Sequence, residues 1–263
     1  MTRTKAQQRG KPTTVVTSRH RPAGRLVRWM GWTLLWSGGL MLAFLAYQLW
    51  GTGLYNAAAQ NRLEQELTLR LAAPPVATAA SPAVVQAPAS PVLTDAQAVP
   101  QSPPSLIAES PPGEGEALGR IIIPTAEVDD IMVEGVTREV LKKGPGHMPW
   151  TPLPGQPGNA VLSGHRTTYG APFFYLDQIT VGDDITVETA IGRHVFRVRG
   201  ILVVNPTDVW VTDPREGAWL TLTTCTPRYS AAQRLVITAE LITGPNLAAI
   251  SGRVETTRAA PGA

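Results

Sequence analysis

Residues 219–241 read WLTLTTCTPRYSAAQRLVITAEL, two runs of alternating side chains joined by the polar segment TPRYSAAQ at 226–233. Alternation of this kind is typical of β-strands, in which successive side chains point to opposite faces. In the first run the leucines occupy even positions and Cys225 an odd one, and in the second run Arg234 alternates with Leu235. If the leucines face the core, Cys225 and Arg234 both project outward. The polar segment is then a turn or loop that brings the two strands side by side.

Cys225 is the only cysteine of the chain, which excludes an internal disulfide framework and a cysteine-based zinc cluster. A lone thiol is either a small buried hydrophobe or a reactive group. Thiols become useful nucleophiles when a base or a positive charge favours the thiolate, since their unperturbed pKa is about 8.5. A strand end beside the permanent charge of Arg234 differs from the surroundings of an inert core cysteine. We therefore interpret Cys225 as a candidate nucleophile.

A histidine would supply the base for such a thiol, and the chain has 4. His165 follows an apolar strand in the glycine-flanked turn AVLSGHRTTYGAPF, where the rim of a barrel would present a side chain. His147 lies in the Gly/Pro loop GPGHMPW and is expected to organise that loop, whereas His194, next to Arg193, is expected on the solvated surface. His20 precedes a long apolar run and is separated from the other three. His165 is the candidate base.

That apolar run, WMGWTLLWSGGLMLAFLAYQLW at 29–50, carries no charge and has aromatic residues near both ends, as membrane-spanning helices do. Roughly 20 residues cross a hydrocarbon core of about 30 Å. Residues 1–28 contain eight Lys or Arg and no Asp or Glu, which predicts a cytoplasmic N-terminus and an extracellular remainder. The alternative is a cleavable signal peptide, with the alanines at 57–59 as its small residues.

Beyond the span, the leucines at 63, 67 and 71 predict a short juxtamembrane helix over 56–71, and the Pro- and Ala-rich stretch 72–116 predicts an extended spacer. Short apolar runs bounded by turns then predict one β-rich domain. Strands are expected at 119–123, 130–133, 159–163, 184–189, 194–204, 218–224 and 234–241, with one helix at 137–143. Their spacing favours an all-β fold, a closed or nearly closed β-barrel.

The predicted organisation has five parts. They are a basic cytoplasmic tail (1–28), a transmembrane helix (29–50), a juxtamembrane helix with a Pro/Ala-rich linker (51–117), the β-domain (118–243) and a flexible C-terminal tail (244–263). The tail has too little hydrophobic content to fold by itself.

Charge and motifs exclude other classes of function. Residues 119–243 hold eleven Lys or Arg against thirteen Asp or Glu, so they lack the basic surplus that a nucleic-acid partner requires. Asp183 and Asp184 in VGDDIT are interpreted as a turn into the next strand, and no metal site is predicted. The sequence has no Gly-rich phosphate loop of recognised spacing.

Several motifs, taken together and in order, resemble a known family. LSGHRTTYGAPF (162–173) followed by TLTTCTPRYSAAQRLV (221–236), with GRIIIP (119–124) and GPGHMPWTPLPGQPGNAVLSGHR (144–166), is similar to the sortases. The resemblance is to the class E group of membrane-anchored housekeeping enzymes and covers about residues 117–243. It implies a sortase-like closed β-barrel of about eight strands with short helices, and it matches His165, Cys225 and Arg234 to the catalytic residues of the family.

The reaction implied by the resemblance is a transpeptidation without a cofactor. Cys225 would cleave an LPXTG- or LAXTG-like sorting signal of a surface protein between Thr and Gly, and the thioacyl enzyme would pass the protein to a cell-wall precursor or pilin amine. His165 would exchange protons with the two amines, and Arg234 would stabilise the oxyanion. Membrane lipid would surround residues 29–50.

Three further residues are weaker candidates in the same motifs. Thr224 either contributes its hydroxyl to substrate or oxyanion or is simply a good strand residue. Tyr169 either shapes the pocket or has a structural role, and Arg166 is expected on the surface or in an ion pair. The alternatives for the whole chain are a hydrolytic cysteine peptidase and a catalytically inactive anchored binding domain.

Overall fold

The computed structural model describes residues 23–47, 52–72 and 105–259. The predicted tail before residue 23, the end of the span at 48–50, most of the linker (73–104) and the last four residues lie outside these segments. The chain divides into two compact units, Met1–Ala46 and Tyr47–Ala263.

The helices of the described segments are α1 (Ala23–Ala46), α2 (Thr52–Ala72), α3 (Arg138–Leu141) and α4 (Leu247–Ala259). The strands are β1 (Ala117–Ile123), β2 (Val128–Glu134), β3 (Gly146–His147), β4 (Gly158–Ser163), β5 (Asp184–Thr189), β6 (Gly192–Val204), β7 (Ala218–Thr226) and β8 (Gln233–Thr243).

The first unit contains α1. This helix has 24 residues, and at about 1.5 Å per residue it is long enough for a hydrocarbon core of about 30 Å. Within the described segments, Val27–Ala46 is the one stretch long and apolar enough to cross a membrane. The predicted span is therefore a helix as far as Ala46.

The eight strands of the second unit form a closed barrel in the order β1-β2-β3-β4-β7-β8-β6-β5. Pairing is antiparallel except between β2 and β3 and between β4 and β7. The inward side chains pack into one core, whose largest fully buried members include Leu118, Ile121, Met132, Leu162, Phe173, Phe196, Leu220, Leu222 and Ile237. Burying these side chains supplies the main driving force for folding, at about 25 cal/mol per Å² of apolar surface. The predicted all-β barrel is confirmed.

All seven predicted strands are present, and the alternation that predicted them reflects a buried barrel face. The missing strand was β3, because two residues in a Gly/Pro loop show no alternation. β3 pairs with Val133 and Glu134 on one side and with Leu162 and Ser163 on the other, so it completes the closure. The predicted helix at 137–143 is the shorter α3, with Thr137 at its N-cap position.

α2 extends beyond the predicted helix and packs on the barrel. Leu63 and Leu67 are buried in a small cluster with residues of β1, β2 and α3, whereas Leu71 is exposed. Gln60 lies beside the backbone of Ile131, with Nε2 donating to its carbonyl (3.0 Å) and Oε1 accepting from its N–H (2.7 Å). A side-chain amide thus satisfies backbone groups of β2 that no neighbouring strand pairs there.

The C-terminal segment differs from the predicted flexible tail. α4 follows Asn246, which is fully buried and donates from Nδ2 to the carbonyls of Ile107 (3.0 Å) and Gly155 (3.1 Å). Ile107 N–H donates back to Asn246 Oδ1 (2.8 Å). Ala249 and Ile250 are buried, and Ile250 belongs to the barrel core. The segment lacks the apolar content to fold alone, but docking against the barrel supplies the partners it needs.

His194 also differs from its prediction, because it is fully buried rather than solvated. The ring lies against Gly155 and Gly244, and a Cβ at Gly155 would overlap it. Nε2 is 3.3 Å from Thr189 Oγ1, and Nδ1 has no hydrogen-bond partner in the described segments. Burial lowers the pKa of His194 from 6.5 to about 4. The neighbouring Arg193 suggested a surface position for His194. Its burial depends instead on contacts with Gly155 and Gly244, which are distant in the chain.

The buried imidazole predicts acid sensitivity. Because the folded state favours neutral His194, stability is fully present above the unfolded pKa of 6.5 and is lost as pH falls toward about 4. This one group should reduce the free energy of unfolding by about 3 kcal/mol between pH 7 and pH 4. The free energy of unfolding is measured at each pH by urea denaturation of the full chain in detergent. It should fall less steeply with decreasing pH in His194→Gln than in the parent, whereas Arg193→Gln should show the same pH dependence as the parent. Equal slopes in the parent and His194→Gln would contradict the prediction.

Candidate active site

The site lies where β4 and β7 end at the same edge of the barrel. The two strands pair in parallel from Gly158↔Ala218 to Ser163↔Thr223. Gly164 N–H then donates to the carbonyl of Thr223 (3.1 Å). Since His165 and Cys225 each stand two residues beyond this last pair, the parallel register brings them to neighbouring strand ends.

Arg234 is brought to the same place by the β7–β8 hairpin, in which Cys225 and Arg234 are directly opposite. The leucines at 220 and 222 face the core, so Cys225 and Arg234 lie on the other face as the alternation predicts, and the thiol is half-buried. Nη1 of Arg234 donates to the carbonyls of Ala231 and Gln233, both at 3.0 Å. No carboxylate in the described part of the chain pairs with this guanidinium, so its charge is uncommitted.

A cavity of about 270 Å³ collects these side chains. The lining comes from the ends of β4, β7 and β8, from the connection between β6 and β7, and from Leu141 and Met148. The lining residues are Leu141, Met148, Ser163, Gly164, His165, Val204, Asn205, Pro206, Asp208, Val209, Val211, Thr212, Thr223, Thr224, Cys225 and Arg234. A larger recess of about 670 Å³ lies along α1, but it is the surface of a single helix and brings together no thiol, imidazole or carboxylate.

His165 lines the cavity, and one of its ring nitrogens is unpaired among the described residues. Nε2 is buried and has no hydrogen-bond partner among the described residues. The ring of Tyr169 packs beside the imidazole, with centroids 5.2 Å apart. Burial, and secondarily the charge of Lys142, lower the pKa of His165 below its ordinary value. The neutral imidazole is therefore favoured, which suits it to accept a proton.

Two of the three weaker candidates, Thr224 and Tyr169, have distinct positions. Thr224 is buried, and its hydroxyl donates to the carbonyl of Gly164 (2.8 Å), so it links the residue before Cys225 to the residue before His165. Tyr169 contacts His165 but does not line the cavity. Thr224 therefore lines the cavity with its hydroxyl already bonded, and Tyr169 adjoins the site through its contact with His165.

Arg166 contacts the backbone of Cys225, which the sequence did not predict. It is 3% exposed, and Nη1 donates to the carbonyl of Cys225 (3.3 Å) and to Thr226 Oγ1 (3.1 Å). An arginine in a turn suggests a surface, and the expected ion pair exists, with Asp177 at 2.9 Å. The contact with Cys225 had no sequence signal, because it depends on the pairing of strands distant in the chain.

Asp177 connects Arg166 to the loop after the candidate nucleophile. Its other oxygen accepts from Arg228 (2.8 Å), which stands over the ring of Phe174 at 4.5 Å. The Arg166–Asp177–Arg228 network thus ties the turn that carries His165 to the β7–β8 loop. A buried arginine with a carboxylate partner is expensive to disrupt.

The remaining polar candidates have structural partners outside the cavity. His147 is buried, with Nδ1 2.8 Å from Glu134 Oε2 and Nε2 3.0 Å from the carbonyl of Pro152, so it organises its loop. Asp183 accepts from Thr180 N–H (2.8 Å) in a turn, and Asp184 begins β5. Within residues 23–47, 52–72 and 105–259, no cluster of His, Cys, Asp and Glu is arranged to hold a metal ion.

The arrangement suits acyl transfer chemistry. A half-buried thiol, a neutral imidazole and an uncommitted guanidinium line one cavity. A thiol, an imidazole and a guanidinium are groups that can serve as nucleophile, proton carrier and oxyanion partner in covalent catalysis at a carbonyl.

Comparisons with known proteins identify one matching domain family and similar relatives. The Sortase domain family matches residues 121–242. Sortase SrtE1 of Streptomyces coelicolor is 31% identical over 231 residues, which cover 82% of this chain and 57% of that protein. The chain spans little more than half the length of the curated relatives it matches, between 56% and 58%.

Solved structures include two similar sortases. Sortase E of Streptomyces avermitilis is 34% identical over 50% of this chain and 91% of that chain, with a TM-score of 0.46. Sortase E1 of Streptomyces coelicolor, with a tripeptide in the active site, is 30% identical over 49% of this chain and 90% of that chain, with a TM-score of 0.47. From the domain match over residues 121–242 and the sequence identity to Sortase SrtE1, the chain belongs to the sortase family.

Proposed function

We propose that this chain is a membrane-anchored cysteine transpeptidase that cleaves an LPXTG- or LAXTG-like sorting signal between Thr and Gly and transfers the protein to an amine. The observation that carries the proposal is the single cavity lined by His165, Cys225 and Arg234. Membership of the sortase family supports the same reaction. The tripeptide in the active site of the Streptomyces coelicolor enzyme is consistent with a peptide substrate.

In the first half of the reaction, Cys225 attacks the carbonyl carbon of the Thr in the sorting signal. The thiol proton passes to neutral His165 as the carbon–sulfur bond forms. Arg234, whose charge no carboxylate neutralises in the described segments, donates to the developing oxyanion. When the carbon–nitrogen bond breaks, His165 returns its proton to the leaving Gly amine, and a thioester remains on Cys225.

In the second half, an incoming amine attacks the thioester carbon. His165 accepts the amine proton, and the carbon–sulfur bond breaks as the new amide forms. His165 gives that proton to the departing sulfur, which restores the thiol of Cys225. A cell-wall precursor or a pilin supplies the amine, and no cofactor takes part.

The helix α1 serves as a single-pass anchor in the bacterial cell membrane. Its candidate span, Val27–Ala46, follows a segment rich in Lys and Arg, which favours a cytoplasmic N-terminus and an extracellular barrel.

Product analysis tests the transferase function. The full chain in detergent is incubated with LPXTG- and LAXTG-containing peptides, with and without triglycine as the amine. We expect cleavage after Thr and formation of a triglycine adduct. The adduct should increase with triglycine concentration while the hydrolysis product decreases, because water and the triglycine amine compete for one thioester. Cleavage that ignores the amine would favour a hydrolytic peptidase. An intact peptide under all conditions would favour an inactive binding domain.

Arg166 should act as a positioning residue for this reaction. Its guanidinium contacts the Cys225 carbonyl, and small misplacement of reacting groups lowers rates strongly. We expect Arg166→Gln to lower kcat roughly 10- to 100-fold while KM stays within about twofold. Steady-state kinetics with the better peptide, together with circular dichroism to confirm folding, measure the effect.

Arg228→Gln is the matched control, because Arg228 also pairs with Asp177 but makes none of the contacts that Arg166 makes with Cys225. It should retain most of the parent's kcat. Equal losses of kcat in both variants would show that the ion-pair network acts only through overall stability, and the positioning role would be abandoned.

A further inference from the structure

The helix α2 reaches the turn that carries His165. Asn56, on its second turn, is 7% exposed, and Nδ2 donates to the carbonyls of Lys142 (3.2 Å) and Lys143 (3.0 Å). These are the two residues that follow α3. Asn56 therefore satisfies carbonyls at the C-terminal end of a short helix, where partners within the helix are lacking.

The same asparagine also packs against the turn after His165. Gly170 has φ +75°, and a Cβ at this position would overlap Asn56 Oδ1. Glycine is required there both by the backbone conformation and by the close approach of α2. One buried amide thus contacts two separate segments, the end of α3 and the turn at residues 166–171.

Side chains from those two segments meet next to the imidazole. Lys142 Nζ is 5.6 Å from the centroid of the Tyr169 ring, and this ring is 5.2 Å from that of His165. Lys142 also pairs with Glu139 at 2.6 Å. Tyr169 has φ +52°, a conformation that a bulky residue adopts only when its surroundings impose it.

We propose that Asn56 and Lys142 are positioning residues for His165, with α2 holding the end of α3 and the Tyr169 turn together around the imidazole. The inference rests on the proposed function, in which His165 carries protons. It makes the helix between the membrane anchor and the barrel part of the active-site support.

The pKa of His165 is the measurable quantity that should respond to these contacts. Burial, and then the charge of Lys142, lower the pKa of His165. Loss of Lys142, or movement of the turn that buries the imidazole, should therefore raise this pKa. Among the described residues, Tyr169 lies beside His165, Cys225, Arg234 and Asp208 line the same cavity, and Glu139 pairs with Lys142. None of them lies on the contact between Asn56 and the end of α3.

The experiment is an NMR titration of the full chain in detergent micelles, with the imidazole carbons labelled. His165 is assigned from the signal missing in His165→Gln. We expect the midpoint of His165 to rise by roughly a few tenths of a pH unit in Lys142→Gln and in Asn56→Ala. Because Lys142 is solvent-accessible, the Lys142→Gln effect should shrink in 1 M NaCl. Gly170→Ala, which displaces Asn56 from the other side, should shift the midpoint in the same direction.

Lys142→Arg keeps the charge and Asn61→Ala removes an exposed asparagine from the same helix, so both should match the parent. Unchanged His165 midpoints in Asn56→Ala and Lys142→Gln would overturn the inference. Peptide transfer measured on the same variants separates this failure from failure of the proposed function. If the His165 midpoint shifts as expected in the variants but the parent makes no transfer product, the proposed function alone is refuted. A parent that transfers, with variant midpoints unmoved, would refute the positioning role alone.

Discussion

The parallel pairing of β4 with β7 is the constraint on which the candidate site depends. It aligns Ser163 with Thr223 at one edge of the barrel, so the next residues of both strands emerge side by side. The contacts of Gly164 with Thr223 and Thr224 then continue the alignment beyond the sheet. A slip of β7 by one residue in this register would turn Cys225 toward the core and out of the cavity that it shares with His165. The geometry of the candidate site therefore depends on the backbone pairing of these two strands.

Successive layers of contacts stabilise those strand ends. The β7–β8 hairpin sets Arg234 opposite Cys225, and Arg166 bonds to the carbonyl of Cys225 from the turn after His165. α2 contacts that turn through Asn56, outside the barrel. Each layer uses a side chain to satisfy a backbone group or a buried charge. A catalytic group held by several partners loses little entropy when it reacts, which is the physical basis of preorganisation.

The sequence predicted the features that local pattern controls. Alternation identified seven strands and the outward positions of Cys225 and Arg234, because the period of a strand is visible in its own residues. It did not predict the burial of His194, the docking of α4 or the contact of Arg166 with Cys225. Each of these depends on segments far apart in the chain: Asn246 with Ile107, His194 with Gly155, and the turn at 166 with the end of β7. His165 was selected by its motif, while the parallel register that explains its position is visible only in the structure.

The central claim is that Cys225 forms a covalent bond with the acyl part of a sorting signal. Intact-mass spectrometry of the acid-quenched full chain, after incubation with LPXTG- and LAXTG-containing peptides, tests it most directly. The expected result is a mass increase equal to the peptide through its Thr residue, mapped by digestion to Cys225 and missing in Cys225→Ala. Absence of the adduct with every peptide, or an equal adduct in Cys225→Ala, would contradict the claim.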